Sequence, residues 1–169
     1  LRTRFGPMSP FDAVRQKPES YPRERIAAAA ERANRRDPAG QAKLLELLSD
    51  ADPAVRYWGA TGLGSLGRQG ASAAEGLQRL AADEAPWVRV AAGDALCRIG
   101  KIDDGLKLLT AGLADKNEWV RVQSANAMDR LGESARPALE QLRAAQSDKN
   151  EYVVRVAQHA VKRLEPPAK

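Results

Sequence analysis

Pro53-Ala-Val-Arg56, Pro86-Trp-Val-Arg89, Glu118-Trp-Val-Arg121 and Glu151-Tyr-Val153 are four versions of one phrase. Its valines stand at 55, 88, 120 and 153, so it returns after 33, 32 and 33 residues. Each phrase opens a stretch rich in small residues that closes on Leu-Gly, Ile-Gly or Leu alone. A fixed period of this length is the mark of a stacked array in which each unit buries its neighbour.

Within each stretch the apolar and small residues fall three and four apart. They are Val55, Gly59, Gly62, Leu63 and Leu66, then Val88, Ala92, Ala95, Leu96 and Ile99, then Val120, Ser124, Ala127, Met128 and Leu131. That spacing makes one helical stripe, and small residues on it let helices approach closely. The pattern predicts four helix pairs, with first helices over about 39–49, 71–82, 103–114 and 134–146 and second helices over about 53–66, 86–99, 118–131 and 151–165. Gly67, Gly100 and Gly132 stand where a left-handed C-cap residue is wanted. Asp37-Pro38 reads as an N-cap followed by a first-turn proline. A leading helix is expected from Pro22 to about Ala33, and the double proline Pro166-Pro167 ends the last helix. The division predicted is an extended connector over 1–20, a solenoid over 21–165 and a disordered tail over 166–169.

The chain has 169 residues, enough for one domain. Its net charge of +5 lies wholly in residues 1–36, which hold nine bases and four acids, whereas residues 37–169 hold 18 of each. A neutral array lacks the broad basic face that a phosphate backbone requires, so nucleic acid is disfavoured as a partner. No apolar run is long enough to cross a bilayer, and the first residues have no apolar core of a signal peptide. The chain begins at Leu1, and the expectation is a piece of a longer protein. The single cysteine, Cys97, rules out an internal disulfide and a cysteine-rich zinc site. Its alignment with Gly64, Asp129 and Lys162 suggests partial exposure.

The repeats resemble the HEAT family, in the bacterial form Asp-x-x-x-x-Val-Arg-x-x-Ala-x-x-Ala-Leu, over about residues 38–165. The resemblance implies an all-α fold, an α-solenoid winding as a right-handed superhelix of about four helix pairs plus a leading capping helix. It also implies ladders of Asp and Arg between adjacent units. Asp50, Asp83, Asp115 and Asp148 lie five before the valine; Arg56, Arg89 and Arg121 lie one after it. The last unit has Val154 there, a departure that fits an end unit with no further neighbour.

The other face of the second helices forms the candidate binding surface, the concave one in HEAT-like proteins. Its candidates are Tyr57, Trp58, Trp87, Asp94, Arg98, Trp119, Gln123, Asn126, Arg130, Tyr152, Arg155, His159 and Arg163. Unlike the core columns, these change in chemistry from unit to unit, and they combine aromatic residues with arginine, the types enriched at binding hot spots. Two readings stay open for Trp87, Trp119 and Tyr152: packing on adjacent repeats, or anchoring a polypeptide or acidic chain with Arg98, Arg130 and Arg163 as a charged rail.

No catalytic, cofactor or metal residue is nominated. Gly62-Leu-Gly64-Ser-Leu-Gly67 spells a dinucleotide fingerprint, but it closes a helix where the fingerprint must open one after a strand. It reads as packing glycines plus a C-cap. His159 is the only histidine, with no nucleophile beside it in sequence. Asp103 and Asp104 read as helix-start residues. No cofactor is expected, and the chain lacks the parts for chemistry.

The run Ser9-Pro-Phe-Asp-Ala-Val-Arg15, continued by Tyr21-Pro-Arg-Glu-Arg-Ile26 and the alanines to Ala33, is similar to a connector preceding C-terminal HEAT-like repeats in certain bacterial sulfatases. Cys97-Arg-Ile-Gly-Lys101 lacks the proline and arginine of the sulfatase nucleophile motif, so no catalytic residue carries over. This resemblance implies an accessory, non-catalytic interaction region, periplasmic or secreted. Its partners would be its own catalytic domain, another polypeptide, or an acidic or sulfated polymer. The alternatives are a stand-alone adaptor, cytoplasmic, and a HEAT-like nucleic-acid protein. No membrane partner is expected.

Overall fold

The computed structural model describes residues 22–165; the connector over 1–20 and the tail over 166–169 lie outside them. Nine α-helices follow one another among the described residues: α1 Arg23–Asn34, α2 Gln41–Leu47, α3 Pro53–Ser65, α4 Ala74–Arg79, α5 Pro86–Arg98, α6 Ile102–Leu113, α7 Glu118–Leu131, α8 Leu139–Ala145 and α9 Glu151–Leu164. Turns of 3₁₀-helix lead into α2, α4 and α8, at Pro38–Gly40, Gly67–Ala73 and Gly132–Ala138. The predicted first helices over 71–82 and 134–146 therefore begin as 3₁₀ and become α-helical only at Ala74 and Leu139.

Helices α1, α3, α5, α7 and α9 pack each on the next and form one layer. The second layer is α2, α4, α6 and α8, each packed on the helix that follows it. The four phrase valines, Val55, Val88, Val120 and Val153, face between the layers and are at most 3% exposed. Leu63, Leu96 and Met128 stand eight residues further along the same stripes and are equally buried. Glycines set the closest approaches. A Cβ on Gly62 would lie 3.0 Å from Ala33 Cα of α1, and one on Gly64 would lie 2.8 Å from Ala95 Cα of α5. Gly67 closes the helix at φ +57°. The fingerprint-like glycines are thus packing surface and cap, as their place in the helix predicted.

The Asp–Arg ladder joins the units. Arg56 donates from Nε and Nη2 to the two carboxylate oxygens of Asp83 at 2.6 and 2.9 Å, and Arg121 grips Asp148 in the same way at 2.7 and 2.9 Å. Arg89 reaches Asp115 more loosely, at 3.6 Å. The Nη1 of Arg56, Arg89 and Arg121 donates to the carbonyls of Asp50, Asp83 and Asp115, at 2.8, 2.7 and 3.0 Å, and so ties down the loop before its own helix. Each ladder aspartate also accepts the backbone N–H two residues on, at 2.8–2.9 Å. The next helix then starts from an N-cap side chain, Asp52, Asn117 or Asn150. Only α5 departs from this, because Ala85 has no side chain that can cap.

The leading helix proves to stand in register with the second helices. A step of 31 residues aligns Pro22 with Pro53, Arg25 with Arg56, Ala33 with Gly64 and Arg36 with Gly67. Arg25 pairs with Asp50 and so makes the first rung of the ladder. On the same step, Glu24, Glu31 and Arg32 replace Val55, Gly62 and Leu63, the residues that pack against a first helix. They are exposed here.

Candidate functional site

The second-helix layer carries a groove with a cavity of about 440 Å³ that crosses α1, α3, α5 and α7. Six of the thirteen predicted residues line it: Tyr57, Asp94, Arg98, Gln123, Asn126 and Arg130. Thr61 and Ser65 of α3 and Asn34 and Arg36 at the end of α1 complete its polar wall. They share the wall because a position on one second helix recurs on the next helix of the layer.

Asp94 is the organising acid. Its Oδ2 accepts from Arg98 Nε at 3.1 Å, one turn along α5, and from Arg130 Nη2 at 3.4 Å, across from α7. Its Oδ1 is buried and has no hydrogen-bond partner among the described residues. Two arginines and one carboxylate leave the centre of the groove cationic.

Arg163 and His159 belong to a separate cluster. His159 Nδ1 lies 2.8 Å from Asp129 Oδ1, and Arg163 Nη1 donates to the Asp129 carbonyl at 3.0 Å and to its carboxylate at 3.4 Å. The expected rail of Arg98, Arg130 and Arg163 is therefore broken: Asp94 and Asp129 divide it, and Arg163 does not line the cavity.

The aromatic residues also divide. Trp87 is half-buried and packs against the core beneath it. Tyr57 and Trp58 meet edge to face at 5.4 Å, which fixes the Tyr57 ring at the groove wall. Trp119 and Tyr152 pair across two repeats at 6.5 Å yet stay 60% and 49% exposed. Arg155 lies over the Tyr152 ring at 5.5 Å. Packing on the core thus holds for Trp87, whereas Trp119 and Tyr152 pack on each other between repeats and keep an open face.

Cys97 corrects an expectation. It is 3% exposed, because α5 and α6 approach through Gly93 and Gly105 and enclose it. Burial pushes its thiol up to about 12, with the charge of Asp94 adding to the effect, so it stays a thiol. Asp103 and Asp104 sit in the first turn of α6, where the helix dipole favours them, but neither caps it. Asp104 instead accepts from Gln78 at 2.8 Å. Among the described residues no three His, Cys, Asp or Glu side chains are grouped to hold a metal, and no helix is long and apolar enough to cross a membrane.

Arg36 was not foreseen as a site residue. The signal that finds it is the 31-residue step, which places it at the C-cap position of Gly67.

The sequence model of HEAT repeats matches residues 11–97 and 73–162. The chain belongs to the HEAT-repeat family. An engineered protein, solved by crystallography as a Northeast Structural Genomics Consortium target, is similar to it at 21% identity with a TM-score of 0.55. The likeness covers 75% of this HEAT chain and 62% of that structure, and at such identity it bears on the fold alone. A comparison with curated proteins found no match. The ladder and the interlocked helix layers are the structural form of the HEAT repeats, which point to a repeat scaffold for interaction.

Proposed function

We propose that this HEAT solenoid is an interaction module whose groove holds an extended segment of another polypeptide. The observation that carries the reading is the 440 Å³ groove crossing four successive helices, with a wall of amides, hydroxyls, a phenol and arginines. A packing face would repeat one residue type along each column, as the valines do. This wall changes at every repeat, offering a different contact to each successive part of a chain laid across it.

We further propose that the module is the accessory C-terminal region of a sulfatase-like protein and is exported with it. The run from Ser9 to Ala33 supports this finer reading. Immunoblotting of the native protein in its source cells tests it. A band well above 18.3 kDa that carries sulfatase activity supports the accessory region. A band near 18.3 kDa makes the module a free adaptor. The groove itself is tested by crosslinking, described at the end of the Discussion.

A further inference from the structure

Arg36 holds a backbone conformation that only glycine adopts freely. Its φ is +51°, and it is the only non-glycine residue with positive φ among the described residues. The corresponding caps of the later repeats are glycines, with φ +57° at Gly67, +98° at Gly100 and +53° at Gly132. A side chain in this region strains against its own backbone. The solenoid bears that cost at the one cap whose side chain lines the groove.

The other cations of the groove line the same cavity. Arg98 runs back across α3, its Cδ 3.5 Å from where a Cβ on Gly64 would stand. Arg130 reaches in from α7 to share Asp94 with it. Arg36 has no ion pair among the described residues, whereas its neighbour Arg35 is bonded to Glu31 at 2.8 Å. Three guanidinium groups thus line one cavity that holds a single carboxylate.

We propose that Arg36, Arg98 and Arg130 form an anion subsite that takes the carboxylate side chains of an acidic polypeptide segment. The proposal rests on the groove being a polypeptide site and adds the chemistry of what it selects. Guanidinium forks match carboxylates in geometry as well as charge. Asn34, Gln123 and Asn126 supply amides for the peptide backbone between those side chains. An acidic peptide suits this wall better than a nucleic acid, because three arginines interrupted by Asp94 among neutral residues make a local anion site and not a continuous basic track.

The test is fluorescence polarisation with two labelled peptides of the same length, one carrying glutamates at every third position and one carrying glutamines there. A labelled DNA duplex is the third probe. Thermal unfolding of each protein variant is recorded alongside. The glutamate peptide is expected to bind and to weaken with added salt, with the glutamine peptide at least about tenfold weaker. Arg36→Gly is expected to lose about tenfold in affinity for the glutamate peptide while its Tm rises, since glycine relieves the φ strain. Arg36→Lys, which keeps charge and strain, should retain part of the binding. Equal binding of both peptides, unchanged by Arg36→Gly, overturns the anion subsite and leaves the groove reading standing. A fall in Tm with Arg36→Gly also overturns the subsite, since it would make Arg36 a structural cap. Duplex DNA binding tighter than the glutamate peptide overturns it in favour of a nucleic-acid surface. Failure of the glutamate peptide to bind overturns it too, and the groove is then judged by crosslinking alone.

Discussion

Removing the arginines of the ladder one at a time should destabilise the solenoid in the order Arg56, Arg121, Arg89. Arg56→Met keeps the aliphatic stem but leaves the Asp83 carboxylate, whose side chain is 5% exposed, with only the Ala85 N–H as a partner. It also frees the carbonyls of Asp50 and Ala51. Breaking a buried pair from one side costs about 3–5 kcal/mol, because the remaining charge is stranded. Arg121→Met strands Asp148 at 13% exposure, with more water within reach, and should cost about 2–3 kcal/mol. Arg89 is 33% exposed and its bridge spans 3.6 Å, so its loss should cost about 1 kcal/mol, chiefly the bond to the Asp83 carbonyl. Guanidinium denaturation of the three variants beside the parent measures the order. Adding Asp83→Asn to Arg56→Met should recover part of the loss, since a neutral amide needs no counter-charge. Equal costs for Arg89→Met and Arg56→Met, or a cost under about 1 kcal/mol for Arg56→Met, would refute the reasoning that burial grades the ladder.

Ala85→Asn should stabilise by about 1 kcal/mol in the same assay. Ala85 has φ −84° and ψ 113°, close to the φ −84° and ψ 115° of the N-cap Asn117, so the new side chain can cap α5 without backbone change. Trp87→Ala should cost about 2–3 kcal/mol, as a half-buried ring leaves the core, while Trp119→Ala, 60% exposed, should cost under about 1 kcal/mol; thermal melts of the pair decide it. Acid should unfold the protein through the ladder. Its hydrogen bond from Arg121 holds the Asp148 carboxyl below its usual range. Burial would raise Asp50, but the Asp52 N–H and the Arg25 guanidinium outweigh it and hold Asp50 low as well. Carboxyls depressed in the folded state contribute stability that is complete above the unfolded value of about 4 and lost as pH falls through the folded values. A stability profile against pH should therefore be flat near neutrality and fall below about pH 4, with Arg121→Met shallower on the acid side.

The array and the boundaries of its second helices were legible because four copies of one phrase repeat the evidence at a fixed spacing, whereas the first helices begin as 3₁₀ turns at Gly67 and Gly132 that the apolar spacing does not mark. Val55, Val88, Val120 and Val153 each mark a buried position, and the resemblance to HEAT repeats, on the Asp and Arg at constant offsets, implied the ladder. The leading helix was harder to read. Glu24 and Arg32 stand where the repeat has Val55 and Leu63, so the apolar signal is missing from α1. Only the Pro22-x-x-Arg25 offset and the match of Arg36 to Gly67 preserve the register. The arginine rail misled for a different reason. Column alignment gives the direction of a side chain but not its partner, and Asp94 and Asp129 capture arginines from neighbouring helices. Cys97 looked exposed because its column holds Asp129 and Lys162, yet the glycine-mediated approach of α6 is particular to this repeat and encloses it.

The central claim is that the groove of the second-helix layer holds a polypeptide. It is tested most directly by a photo-reactive residue placed at Gln123, exposed on the groove wall, and a control at Gln78, exposed on the first-helix layer. Both proteins would be irradiated in the source cells and their adducts mapped by mass spectrometry. The account predicts one recurrent polypeptide segment joined at position 123, absent from 78 and diminished by Arg98→Ala and Arg130→Ala. Adducts equal at both positions would contradict it, whereas adducts at position 123 untouched by the arginine changes would count against the anion subsite alone.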